Sequence, residues 1–298
     1  MNIAAMSLAA AVLLAAPAAH AVQNIDQSLP TGATPNVEVS VVQGKVTVRA
    51  WDRQEVKVTG TIGNDELEFK LEGGATHVSI SVRAKSKSYN YGRKDDAFLE
   101  VRLPAGAALD VQTMSADIDV RDLRGSQRLD AVSGDISTAA FDQQLDLQTI
   151  SGNIDVRGTG GKAAVYAEST SGTVRARGLA ATVQAQSISG GIDLAIGVTP
   201  QVRLETVSGD IVAALTLADG ASLDAESVSG GVKLTFGQPV NGEFDVESFS
   251  GDIENCFGPK PARADKYTPG TELHFTQGSG QARVSLETLS GDIVFCDK

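Results

Sequence analysis

Apolar residues along most of this chain fall two apart, in short runs separated by small and polar residues, which is the mark of strands with one buried face. Leu145 and Leu147, Val165 and Ala167, Val202 and Leu204, and Val284 and Leu286 are such pairs. Each is followed by a small residue (Thr149, Ser169, Thr206, Thr288), and two positions later by a serine. The serine recurs as Ser115, Ser133, Ser151, Ser171, Ser189, Ser208, Ser229, Ser250 and Ser290, in steps of 18, 18, 20, 18, 19, 21, 21 and 40 residues. Three residues after it the site is Ile or Val in all nine copies, from Ile118 to Ile293. A unit of about 20 residues with two short strands cannot bury its own apolar face, so the copies must stack, each strand pairing in parallel with its equivalent in the next.

The turn chemistry fits that stacking. A Gly follows all but the first Ser, where Ala116 stands, and predicts a corner at positive φ; Asp117, Asp135, Asn153, Asp210, Asp252 and Asp292 follow as Asx-turn residues. The pattern therefore predicts an all-β, single-stranded parallel β-helix, or β-solenoid, with nine rungs on the order of 40 Å long. The phase at Thr149 to Ile154, Thr206 to Ile211, Ser248 to Ile253 and Thr288 to Ile293 resembles the bacterial β-strand-repeat domain of unknown function provisionally called an adhesin, a family related to auto-transporter adhesin head-like domains. The resemblance covers about residues 36–298 and implies an exported, right-handed solenoid. That family has no established catalytic residues to carry over.

Outside the array the chain divides as follows. Residues 1–21 read as a signal peptide, with an apolar run from Ile3 to Ala19 and Ala19-His20-Ala21 as the cleavage site, so the protein is expected in the periplasm, at the cell surface or secreted. Residues 22–35 read as a disordered lead-in. Residues 36–103 read as an N-terminal β cap that includes a degenerate first rung, with Gly44 and Val46 in the roles of Gly152 and Ile154, and with Trp51 capping the open core. Residues 104–298 are the solenoid, interrupted near 257–282 by an inserted loop. Within it Leu273 to Phe275 and Ala282 to Leu286 flank Gly278-Ser279-Gly280 as a hairpin. Lys85, Lys87, Tyr89, Tyr91, Arg93 and Lys94 form a basic loop, either a docking loop for an anionic partner or a solvated tip.

Composition narrows the function. A net charge of -12 disfavours nucleic acid and anionic membranes as partners, and 5% aromatics leave little for a sugar-stacking platform. Once residues 1–21 are removed no second apolar span of about 20 residues exists to insert in a membrane. His77 and His274 stand alone in sequence, no Ser nucleophile motif has a matching His, and no cofactor motif is present. Calcium bridging stacked Asp117, Asp135 and Asn153, with Asp119 and Asp155 nearby, is the one metal reading; Asx turns explain the same residues. The expected role is a non-catalytic scaffold that binds an unidentified protein or glycan at the cell envelope or associates with itself. The alternative is a polysaccharide-processing enzyme, whose acids and bases would come from the insertion with Lys260, Arg263, Asp265, Lys266 and Glu272.

Two features are sharper. The residue before each Ser is Met114, Val132, Ile150, Thr170, Ile188, Val207, Val228, Phe249 or Leu289. Strict alternation would aim this position outward as an apolar interface stripe of about 38 Å, whereas a bulge at the corner, the simpler reading, would turn it inward. Cys256 and Cys296, the only cysteines, each lie six residues after their Ser. If the insertion leaves the stack, their Cα atoms come to roughly 4.8 Å apart and a disulfide forms.

Overall fold

The computed structural model describes residues 22–86, 92, 95–180, 182–263 and 270–297. The signal-peptide segment and Lys87, Tyr89, Tyr91, Arg93, Lys94, Asp265 and Lys266 lie outside them. Among the described residues every element is a β-strand, and the strands stack mainly in two parallel ladders, with antiparallel strands at the two ends. In the first, the strands that precede the corners stack as Val111, Leu129, Leu147, Ala167, Ala185, Leu204, Ala225, Leu286 and Val246. In the second the order is Val46, Ile118, Ile136, Ile154, Val174, Ile192, Ile211, Val232, Ile293 and Ile253. All of these are buried and belong to one continuous apolar core. Paired identical β-branched residues suit this stacking, because each presents the same shape to the rung above and below.

The corner is built from side-chain hydroxyls. Thr149 Oγ1 donates to the carbonyl of Gly134 on the preceding rung at 3.2 Å, and Ser169, Ser187, Thr206, Ser227, Thr288 and Ser248 repeat the bond at 3.0–3.4 Å to Gly152, Gly172, Gly190, Gly209, Gly230 and Gly291. The same oxygens accept the N–H of Gly152, Gly172 and Gly190 on their own rungs. The corner glycines from Gly134 to Gly291 are not at positive φ, contrary to the expectation, although Gly44 in the degenerate rung is, at 117°. Their lack of a Cβ matters because the carbonyl of the neighbouring rung's corner residue occupies that space: Gly134 sits on Ala116, Gly152 on Gly134, Gly172 on Gly152, and so along the stack.

Neither end of the stack follows chain order. At the N-terminal end Asn36–Trp51 pairs in parallel with Ala108–Arg121 on one side and with His77–Ala84 and Ala97–Pro104 on the other. Gly44 therefore aligns with Ala116 and Val46 with Ile118. The lead-in is ordered: Gln23–Pro30 pairs antiparallel with Glu55–Ile62 over its whole length, burying Ile25 and packing Leu29 on the core. Two apolar residues four apart hid this strand. Trp51 does not cap the core; it is half-buried, its indole N–H donates to Glu55 O at 2.8 Å, and Arg53 lies over the ring.

At the C-terminal end Ala282–Ser290 and Ile293–Asp297, last in sequence, lie between the rung of Ser229 and the rung of Ser250. Thr271–Thr276 pairs antiparallel on the outer edge of Gly242–Ser250, so it and Ala282–Ser290 flank that strand on opposite sides and no hairpin joins them. Gly242–Ser250 offers two free edges, and the returning chain fills both. Cys256 and Cys296 are disulfide-bonded with Cα atoms 4.9 Å apart. Phe236, Phe244, Phe257, Phe275 and Phe295 close the core beside them, with Phe244 and Phe275 stacked at 4.6 Å.

Two outcomes follow from this packing. Gly172→Ala puts a methyl group on the Gly152 carbonyl and is expected to lower unfolding stability by more than about 3 kcal/mol, whereas Gly74→Ala, with open space around it, changes it by less than about 0.5 kcal/mol in urea titrations. Unreduced, unfolded protein should show no alkylatable thiol by intact mass. Replacing both cysteines by Ser removes a 40-residue closure, lowers stability by up to about 4 kcal/mol in the chain-entropy model, and makes the amides of 282–297 the first in the array to exchange.

Candidate interaction surface

The residue before each corner serine points outward. Met114, Val132, Ile150, Ile188, Val207, Val228, Phe249 and Leu289 are 42–57% exposed, which overturns the inward-turned corner. The hydroxyl ladder explains it for six of the eight: the Ser or Thr one position before Ile150, Ile188, Val207, Val228, Leu289 and Phe249 is held inward by a bond to the neighbouring rung, so alternation throws the next side chain to solvent. Rung order makes the stripe continuous as Met114, Val132, Ile150, Thr170, Ile188, Val207, Val228, Leu289 and Phe249. Large apolar side chains stacked over about 38 Å exceed what soluble monomers usually expose.

Acidic residues border the stripe on both sides. Two positions before it Glu205, Glu226, Glu287 and Glu247 stand in direct register, and Glu272 on the antiparallel edge strand extends the row to five adjacent strands. This row was invisible in the sequence, because its spatial order differs from its chain order. Arg203 pairs with Glu205 and reaches Asp224 at 3.6 Å. Glu226 and Glu287 make no ion pair within 4 Å among the described residues. The Glu287 carboxyl is held above the usual carboxylate range by burial, and then by the charges of Glu226, Glu247, Asp224 and Asp245. A groove of about 450 Å³ runs between this row and Val228, Leu289 and Phe249.

On the other flank the aspartates are structural. Asp117 Oδ1 accepts the N–H of Asp135 at 3.1 Å, Asp135 Oδ1 that of Asn153 at 2.7 Å, Asn153 Oδ1 that of Thr173 at 3.0 Å, and Asp210 and Asp292 repeat the bond to Gly231 and Asp252. Each side chain caps the neighbouring rung, so the calcium reading loses its main reason. Asp119 and Asp155 pair with Arg121 and Arg157.

The remaining sequence candidates do not converge. Lys85 is exposed and donates to the Asp65 carbonyl. Arg263 is exposed on the two-residue strand Ala262–Arg263, while Glu272 joins the glutamate row. His274 is not isolated: its Nδ1 lies 2.8 Å from Asp245 and its Nε2 4.0 Å from Glu247, with all three side chains exposed. Among the described residues no helix is long and apolar enough to cross a membrane.

A family model described as Toastrack DUF4097 matches residues 34–295. The chain belongs to this family. The Toastrack match spans the strands from Asn36 to Pro104 as well as the regular rungs, and its function is undefined. Compared with curated proteins, the chain has no match. Among solved structures it is similar to a Parabacteroides distasonis protein named provisionally as lipid-binding, at 12% identity and TM-score 0.48 over 92% of this chain and 96% of that one. It is also similar to a provisionally named adhesin from Parabacteroides merdae, at 11% identity and TM-score 0.47 over 90% and 96%. At these scores neither likeness bears on function.

The raised Glu287 carboxyl gives a signed pH dependence. Its folded form holds a proton more tightly than the unfolded chain, so ionising it opposes folding above the raised value, and the effect vanishes as both states protonate. Glu287→Gln is therefore expected to raise the melting temperature at pH 7. The gain should shrink as pH falls through the carboxylate range and be absent at about pH 3.

Proposed function

We propose that this Toastrack protein is an exported, non-catalytic scaffold, a parallel β-solenoid, right-handed as the resemblance implies, that binds a partner at the cell envelope along one side. The observation that carries the reading is the outward apolar stripe on eight rungs, held in phase by the buried corner hydroxyls. A stripe of this length on a rigid ladder is preorganised, so little side-chain or backbone ordering opposes binding. Tight corners and short turns on most rungs leave few loops from which a catalytic cleft could be built, which supports a binding role over polysaccharide processing. Periplasm, cell surface and medium are all consistent with the signal-peptide reading and the disulfide.

Ile150→Lys with Val207→Lys places two charges on the stripe at exposed positions. The thermal transition should move by less than about 3 °C, since exposed substitutions are close to neutral, while capture of the native partner from fractionated envelope extract is lost. Retention of every captured species by the variant would sink the interface.

A further inference from the structure

Taking the stripe as the interface, a reading on which this depends, we infer that its occupant is a basic amphipathic α-helix of another protein, lying lengthwise across the rungs. Charge selects the partner. Beside the stripe run Gln112, Asp130, Gln148, Glu168, Gln186, Glu205, Glu226, Glu287 and Glu247 on one side. On the other run Asp117, Asp135, Asn153, Thr173, Gly191, Asp210, Gly231, Asp292 and Asp252. Neither row holds a lysine or arginine. A second copy in either direction would set acids against acids, and an anionic lipid surface meets the same repulsion. Glutamates directly opposite one another on adjacent strands destabilise the sheet, and a cationic occupant relieves that repulsion where Glu226 and Glu287 make no ion pair within 4 Å among the described residues.

Shape selects the helix. The surface offers one apolar lane with an acidic lane on each side. An amphipathic helix carries one apolar stripe with polar positions on both flanks, is about 10–12 Å across, and repeats every 5.4 Å, near the rung spacing of about 4.8 Å. An extended strand is one residue wide and cannot fill three lanes. Added strand pairing is also closed on this face, because the stripe's backbone already bonds from rung to rung, as Ile150 N–H to Ala131 O, Ile188 N–H to Ser169 O and Val207 N–H to Ser187 O. The groove by Val228, Leu289 and Phe249, where the glutamates are unbroken, is where such a helix is held hardest.

The probe is a 21-residue Leu/Lys amphipathic helical peptide, titrated by fluorescence anisotropy onto the mature chain with its disulfide closed. A Leu/Glu peptide of the same pattern and phosphatidylglycerol vesicles serve as competing arms. Binding of the Leu/Lys peptide is expected, weaker by at least about tenfold on going from low to high salt. The triple variant Glu226→Gln, Glu287→Gln, Glu247→Gln should weaken it about tenfold, as should Val228→Ser, Leu289→Ser, Phe249→Ser, while Glu66→Gln, Glu68→Gln, Glu72→Gln, on and just before the strand Leu67–Gly73, stays within about twofold. Far-ultraviolet melts establish that each variant is folded.

Equal loss in the distant triple means that net charge alone attracts the peptide, and overturns the inference. So does tighter binding to the vesicles or to the Leu/Glu peptide, or self-association of the wild type that the serine triple abolishes; in those cases the stripe is an interface with a different occupant. If the serine triple alters no binding of any kind, the interface reading itself falls.

Discussion

The bond from a corner hydroxyl to the glycine carbonyl of the preceding rung is the constraint on which the rest of this molecule depends. It occurs seven times between Thr149 and Thr288, buried from water, and it fastens each rung to the one before at the same atom. A buried hydroxyl left without partners would destabilise the fold, so the ladder is favourable only when complete. Only Gly fits at the corners from Gly134 onward, because the preceding rung's carbonyl lies where a Cβ would be. The variable steps of 18 to 21 residues fall elsewhere on the rung, where turn length is free. The ladder also fixes the phase of alternation, and so the residue that follows it, apolar on all these rungs but that of Thr170, faces outward.

A second constraint comes from the ends. A stack of parallel strands exposes unpaired backbone at its first and last rungs, and this chain closes both by running past the end and coming back. Asn36–Trp51 ends up enclosed between strands that follow it in sequence, and the C-terminal strands enter between two rungs already laid down. Antiparallel strands Gln23–Pro30 and Thr271–Thr276 then shield the outer edges at the two ends. The disulfide ties the inserted rung to its outer neighbour, and five phenylalanines fill the core there. The same insertion places Leu289 between Val228 and Phe249, and Glu287 between Glu226 and Glu247, so the surface with the densest charge exists only because the last rung is in place.

Much of this was legible in the sequence because a solenoid repeats its chemistry at a fixed phase. Ile118 to Ile293 mark one ladder, the Leu and Val pairs mark the other, and the common phase of Cys256 and Cys296 brought them together once the insertion left the stack. The residues that misled did so for physical reasons. Glycine at a corner has two uses, positive φ and close approach, and spacing alone does not separate them. The small residue before each corner matters for its hydroxyl, which small size alone does not reveal. Alternation predicted an outward stripe, yet eight exposed apolar side chains argued for a bulge. Glu226, Glu287 and Glu247 form a row only in space, and His274 meets Asp245 only because its strand runs backward along Gly242–Ser250.

Residue-resolved amide exchange at Gly152, Gly172 and Gly190 tests the corner ladder most directly. Each N–H donates to a buried hydroxyl that is itself bonded to the preceding rung, at 3.1, 2.8 and 3.0 Å. These amides are expected to be protected as long as those of Leu147, Val165 and Val183 in the adjoining strands, opening only with the stack. Exchange at the rate of exposed turn amides, with the strand amides still protected, would contradict it.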